Sequence, residues 1–391
     1  MEEKQEQAVE KRDGMTEAVE NAVRDEVEDN AIAANVALIR DAEKKKKVVR
    51  KKILFYALFI VVSAAVITGM VLFEDRSGDM ASGKEALRRL GEHPVYTAIA
   101  VLLYFVILLA DTAVFFGLTR KISNRASLGA SAKVSLLGRY FDKVTPWAIG
   151  GEPFQILFLK KRGLSGADAC AVTMSRHIIR FFSTAIVVLA IIAFSGVSAN
   201  VYVVVAAIVS ILGGLIIPTF MLVCAFRPTI GKKISDGVIG FLAKIKIIKY
   251  KEKAKKKVAD LVTEFLSGVK YLSVNKSMIV LIAVAAIVEI FANSAAPYFV
   301  MKALGVQNVP FWDTFVKCLF VNHSASFVPT PGGSGIAELS FYAIFSSHVG
   351  EGMLFWTVLF WRIVVFYIPV FLGFIVSTVS SVAEIVRLKR A

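Results

Sequence analysis

Cysteine is scarce in this chain. Only Cys170, Cys224 and Cys318 occur among 391 residues, each inside an apolar run and without pair or metal-ligand spacing. That excludes a disulfide framework and a zinc site, and leaves three small buried side chains. Histidine is nearly as sparse, at four residues. No Ser-His-Asp order, metal cluster or phosphate-binding glycine loop stands out, so no catalytic residue, metal or other cofactor is expected. A cleavable signal is also missing, because the first apolar run begins only at Ile53 and no small-residue cleavage site follows it. Lysine and arginine are absent from 195–200 and 346–353, although the chain as a whole carries a net charge of +15. What the chain has in abundance is apolar surface. It is 56% hydrophobic with 29 phenylalanines, the composition of an integral membrane protein.

Runs long enough to cross roughly 30 Å of hydrocarbon fall at 53–73, 95–118, 168–194, 201–226, 278–301 and 354–382. Two further apolar regions, 132–159 and 313–345, are interrupted by "VTPWAIGGEP" and "VPTPGGSG". Their first limbs reach only roughly 20 to 24 Å as helices, so both regions are expected to be re-entrant hairpins. The expected fold is an all-α polytopic membrane protein with six spanning helices and two broken-helix hairpins. Residues 1–52 form a charged cytoplasmic extension and 53–391 the membrane domain. The extension opens with an acidic tract, 13 Asp/Glu against 5 Lys/Arg in residues 1–43, read as soluble and partly helical or disordered.

Short cytoplasmic loops carry the positive excess of a membrane protein. "EKKKKVVRKK" before Ile53 and "RLKR" near Ala391 therefore place both termini in the cytoplasm. The loop 227–276 holds 13 Lys/Arg and joins them there. Its expected partner is anionic lipid headgroup, and no nucleic acid, since no aromatic-interleaved module accompanies the charge. The loops without lysine or arginine face outwards. Only 74–94, with mixed charge, fits poorly.

The two interruptions share a skeleton. Thr145-Pro146 is followed by Gly150, Gly151, Glu152 and then Arg176. Pro329-Thr330-Pro331 is followed by Gly332, Gly333, Gly335, Glu338 and then Arg362. The Glu-to-Arg spacing is 24 residues in both, and Lys133 and Lys317 precede their Thr-Pro by 12 and 13 residues. With units of span, span, hairpin, span at 53–194 and 201–382, the chain reads as an inverted 4+4 repeat. That architecture belongs to secondary transporters, whose broken helices line a substrate site. Non-helical backbone at membrane depth is tolerated only inside protein or beside water.

Charged groups in these segments would each cost about 2.5–3.5 kcal/mol at a helix centre facing lipid. Those found are Asp111, Glu152, Arg176, His177, Arg180, Glu289, Lys317, Glu338 and Arg362. The pairs Glu152/Arg176 and Glu338/Arg362 are expected, one per repeat, either to lock each hairpin to its following helix or to contact substrate; the roles are compatible. Arg176 and Arg180 share a helix face that suits a polyanionic group, unless one only snorkels. Glu289 and Asn293 are read as interhelical glue or ligand contacts, and His177 and His323, beside Asn322, as hydrogen-bonded helix contacts or proton relays.

At "GRYFDKVTPWAIGGEPFQILFLKKRGLS" and "SFVPTPGGSGIAELSF" the sequence resembles the flippase-like transmembrane family named for lysylphosphatidylglycerol synthase, the membrane half of the multiple peptide resistance factors. The resemblance covers roughly residues 50–385. It implies translocation of a phospholipid or lipid-linked charged headgroup across the plasma membrane of a prokaryote. The positions that match the family motif are Thr145, Pro146, Gly151, Glu152 and Gln155, then Pro329, Thr330, Pro331, Gly332, Gly335 and Glu338. The family's soluble lysyl-transfer domain is expected to be absent after Ala391, so lysyltransferase activity is not expected. Alternatives are a membrane subunit or enzyme of headgroup modification and a small-solute or ion exchanger. Self-association and a soluble partner enzyme are both left open.

Overall fold

The computed structural model describes Thr68 and residues 83–390 except 124–125, 197–200, 228, 231–262, 264–265, 273, 326–329, 347–348 and 350. Every regular element among them is helical. In chain order these are α1 (Gly83–Glu92), α2 (Pro94–Ile122), α3 (Leu128–Val144), a 3-10 turn (Pro146–Ala148), α4 (Gly151–Lys161), α5 (Gly166–Phe194) and α6 (Val201–Phe226). There follow α7 (Lys276–Ala303), α8 (Phe311–Ser324), a second 3-10 turn (Pro331–Gly333), α9 (Ile336–Phe345), α10 (Glu351–Arg362), a π turn (Ile363–Tyr367) and α11 (Ile368–Arg390).

The chain is an all-α polytopic membrane protein. Five stretches are long and apolar enough to cross a membrane: Pro94–Ile122, Gly166–Phe194, Val201–Phe226, Lys276–Ala303 and Gly352–Ser380. They coincide with five of the six spans expected from hydropathy. The sixth, 53–73, lies outside the described residues apart from Thr68, as do the acidic extension and most of the 227–276 loop. Local signals explain the helix ends. Pro94 sits at the first turn of α2, where its missing N–H is not needed. The Ser165 hydroxyl accepts from the Asp168 N–H (3.0 Å) to start α5, and Asn275 accepts from Met278 N–H (3.3 Å) to start α7. Segment 74–94, awkward by charge, contributes the short helix α1, where Glu85 accepts from both Arg88 and Arg89.

The helices carry apolar residues all round, so one side packs and the other faces outwards. Leu109, Ile186, Ile216, Ile217 and Phe371 are more than 60% exposed, the surface expected of lipid-facing helix. Inside, α2 and α7 form the most extensive pairing, with α3 against α2 and α11, and α8 against α6 and α7. One core gathers around α8, α9 and α10, including Phe341, Phe345 and Trp361; a second joins α2, α5 and α7 through Phe115, Ile178 and Ile282. The two interrupted regions are broken helices as expected, and their 3-10 turns pack against each other.

Candidate functional site

Thr145 and Thr330 open the two breaks in extended backbone, at φ −108°, ψ 148° and φ −108°, ψ 150°. A proline follows each, which removes a backbone donor and fixes φ, so neither helix continues. Three residues after each threonine-start the chain turns left-handed, at Ala148 (φ 54°) and Gly333 (φ 66°). The threonine hydroxyls close the turns. Thr145 donates to the Phe141 carbonyl (2.7 Å) and accepts from Gly150 N–H (2.9 Å), whereas Thr330 donates to the Ser334 carbonyl (2.9 Å). Pro329 lies outside the described residues.

Beside the second break the expected pair is present. Arg362 Nε donates to Glu338 Oε1 at 2.5 Å, with both side chains 7% exposed. The other Glu338 oxygen accepts from Gly335 N–H (2.7 Å), and Arg362 also reaches the Gly332 carbonyl (3.2 Å) and Ser334 Oγ (3.4 Å). The guanidinium lies 5.4 Å from the Trp361 ring centroid and 5.2 Å from that of Phe366. Both charges are thus absorbed in holding the break to α10 and the π turn that follows it.

Beside the first break the expected Glu152/Arg176 pair does not form. Glu152 instead meets His177 Nδ1 at 2.9 Å. Arg176 turns to Asp111 on α2 (2.7 Å) and stands 4.9 Å from the Phe115 ring centroid. The cause is helical phase. One residue rotates a side chain by about 100°, so position 177 rather than 176 faces Glu152. Glu152 is also the second residue of α4, while Glu338 is the third of α9, where it can fold back on the helix start. In the first break that duty falls to Asp142, whose Oδ1 accepts from Gly151 N–H at 2.8 Å.

A buried charge network extends from Arg176. Asp111 is shared by Arg176 and by Arg139 (2.5 Å), and Arg139 also holds Glu289 (3.0 Å), which lies 3.5 Å from Arg180. Three guanidinium groups from α3 and α5 therefore share two carboxylates from α2 and α7, with Asp142 and Glu152 also within electrostatic range of Arg180. Arg139, Asp142 and Lys143 were missed among the sequence candidates. A signal existed: Arg139 and Lys143 are four apart in the limb that leads to Thr145, and so share a face. A cavity of about 40 Å³ opens at this point, lined by Tyr104, Arg139, Lys143, Glu289, Asn293 and Val365 among others. Arg362 and Arg139 are both within electrostatic range of Lys143, which brings the second break's cation to the same neighbourhood.

The remaining candidates lie around this centre or apart from it. Gln155 is 2% exposed and packs so closely on Gly138 that a Cβ there would meet its Nε2 at 2.1 Å. Asn322 Nδ2 donates to the Asn293 carbonyl (3.3 Å), tying α8 to α7 as an interhelical contact. His323 is near Glu289 and Arg180. Lys317 pairs with Asp313 (2.8 Å) on its own helix.

Comparison with known proteins gives the same family from an independent direction. Residues 60–373 match the family model described as the lysylphosphatidylglycerol synthase TM region. The chain is also similar to a UPF0104 membrane protein of Archaeoglobus fulgidus, 27% identical over 264 residues, which spans 66% of this chain and 77% of that one.

Proposed function

This chain belongs to the lysylphosphatidylglycerol synthase transmembrane-region family, and from that premise we propose that it is a flippase-like translocator moving a phospholipid or lipid-linked charged headgroup between leaflets. One observation carries the proposal: the two helix breaks pack on each other beside a buried charge network and a polar cavity. A headgroup drawn into such a site exchanges water for fixed charges while its tails remain in lipid, which avoids the full desolvation cost of crossing hydrocarbon. Within this proposal the broken helices are re-entrant, from opposite faces, as the two halves of an inverted repeat. Both termini and the basic 227–276 loop lie on the cytoplasmic side, the loop against anionic headgroups.

The test is a lipid-translocation assay on the purified full chain in liposomes. Fluorescent phosphatidylglycerol, phosphatidylethanolamine and phosphatidylcholine are placed in one leaflet and quenched from outside. Faster loss of protection than in protein-free vesicles, reduced by Arg180→Gln, is the expected result. Equal rates with and without protein for every lipid tested would remove the proposal. The smallness of the cavity, about 40 Å³, favours a second reading, exchange of a small charged solute; radiolabelled solute uptake into the same vesicles, without lipid movement, would select it.

A further inference from the structure

We infer that the Glu152–His177 pair at the start of α4 is a proton-binding site, and that its occupancy sets how firmly the first break is held to α5. The inference deepens the translocator proposal by naming the proton as a ligand that acts on its first break. It rests on that reading for the placement of the break at membrane depth.

His177 Nδ1 lies 2.9 Å from Glu152 Oε1, a contact that joins α4 to α5. Phe181, about one turn further along α5, lies against the imidazole with ring centroids 4.6 Å apart and steadies the ring. In the second break the corresponding contact is Glu338 with Arg362. A guanidinium keeps its proton at any working pH, so that fastening is permanent. An imidazole exchanges its proton between about pH 5 and 8, so the first fastening exists in two forms. In the tautomer that donates from Nδ1, the neutral ring gives one hydrogen bond to the carboxylate and the pair carries one negative charge. A proton taken up on Nε2 converts the pair to imidazolium and carboxylate, neutral overall and more strongly bonded.

Access differs between the two breaks in the same sense. The Glu152 and His177 side chains are 19% and 21% exposed, against 7% for both Glu338 and Arg362. Pro146, Ala148 and Ile149 of the adjoining break are exposed, Ile149 at 62%. Non-helical backbone at membrane depth persists only inside protein or beside water, so the exposed face of this break adjoins water that can carry the proton. Charges of both signs surround the pair. From α3, the titratable Asp142 repels Glu152 and favours the protonated form, while its Oδ1 accepts from Gly151 N–H. Of the cations near Asp142 on α3, Arg139 is held by Asp111 and Glu289, and Lys143 lies with Glu289 at the cavity. From α5, Arg180 favours the deprotonated form, and Arg176 is turned to Asp111 of α2. Arg180 is itself shared with Glu289 of α7, and His323 of α8 lies within its range. α6, packed on α5, brings no charged side chain. A carboxylate on one side and a guanidinium on the other act in opposite directions, so neither locks the pair in one form.

The test is a double-mutant cycle on the purified full chain in detergent. Wild type, Glu152→Gln, His177→Gln and the double variant are melted at about pH 5.5 and about pH 8.5, either side of the range in which imidazole titrates. Effects of pH elsewhere cancel in the cycle. An imidazolium with a carboxylate partner contributes stability at low pH that is lost as pH rises and the ring gives up its proton. The coupling between positions 152 and 177, read in melting temperature, should therefore fall by about half or more from the lower pH to the higher. Lipid movement in liposomes should change over the same range in wild type and become flat in His177→Gln. Equal coupling at the two pH values, or a pH profile of lipid movement that is the same in wild type and His177→Gln, would overturn the inference. Coupling that falls with pH, without lipid movement at any pH, would keep the proton site and remove the translocator. Should His177→Gln fail to fold, Glu152→Gln decides: its melting deficit must be larger at the lower pH, and equal deficits overturn the site.

Discussion

Thr145 and Thr330 hold nearly the same backbone angles, and each leads through proline and one 3-10 turn into a short helix, yet the carboxylates that follow behave differently. Glu338 is consumed locally: it caps its own helix and pairs with Arg362, at 7% exposure. Glu152 is 19% exposed, meets a histidine, and leaves the capping to Asp142 from the preceding limb. Around the second break the charges cancel in place. Around the first they spread across α2, α3, α5 and α7 as a shared network. One backbone device thus serves as a fastening in one half of the membrane domain and as the edge of a charged cavity in the other.

That contrast can be broken most directly at the fastening. Glu338→Gln leaves Arg362 buried without its counter-charge, and removing one member of a buried pair costs about 3–5 kcal/mol. A lowered melting temperature and poor yield are expected in detergent. If the variant melts like wild type but loses lipid movement, the pair belongs to the transport path and the assigned division is wrong. Next in size is Gly333→Ala. Its φ of 66° suits glycine, and an added Cβ would meet Ala325 Cβ and carbonyl oxygen at 2.8 Å. Strain and crowding together predict a loss of about 3 kcal/mol, read from denaturation midpoints.

In the first break the same class of change should matter less. Glu152→Gln keeps a hydrogen-bonding group opposite His177 at a partly exposed site, so about 1 kcal/mol is expected, with any larger deficit appearing in transport. A stability loss equal to that of Glu338→Gln would make the two breaks equivalent fastenings. The smallest effect has the opposite sign. Ala148 occupies the left-handed position that glycine fills in the second break, and Ala148→Gly should relieve strain against a gain in unfolded-chain entropy, for a net stabilisation of about 0.5–1 kcal/mol. A lower melting temperature would show that the Ala148 methyl contributes packing that outweighs its backbone strain.

The fold was legible because its main signals are long: apolar runs of spanning length need no knowledge of partners, and five reappear as helices. The breaks were legible through proline and glycine, which act on their own backbone. The fixed spacing of 24 residues found Glu338 and Arg362 but misassigned Glu152, because spacing does not specify the helical face when the carboxylate sits one residue nearer the helix start. Arg139, Asp142 and Lys143 went unseen for a different reason. The partners of Arg139 and Asp142 are Asp111 on α2, Glu289 on α7 and Gly151 beyond the break, and only tertiary packing brings these together. Asp111 and Glu289 were recognisable as charges inside membrane segments, but which cation each would hold was not.

The π turn at Ile363–Tyr367 joins Arg362, which fastens the second break, to Val365 and Pro369, which line the cavity. A π turn accommodates about one residue more than the α turn that would span the same rise. This short stretch is therefore where the last membrane segment can absorb a length change. Deleting one residue between 363 and 367 would convert the turn to α geometry and leave Arg362 and the far helix in their present phase. Deleting one residue anywhere in α11 up to Ser380 would rotate the remainder by about 100°. In a family whose members differ in length, an alignment gap placed within these five residues is compatible with an unchanged structure on either side of it.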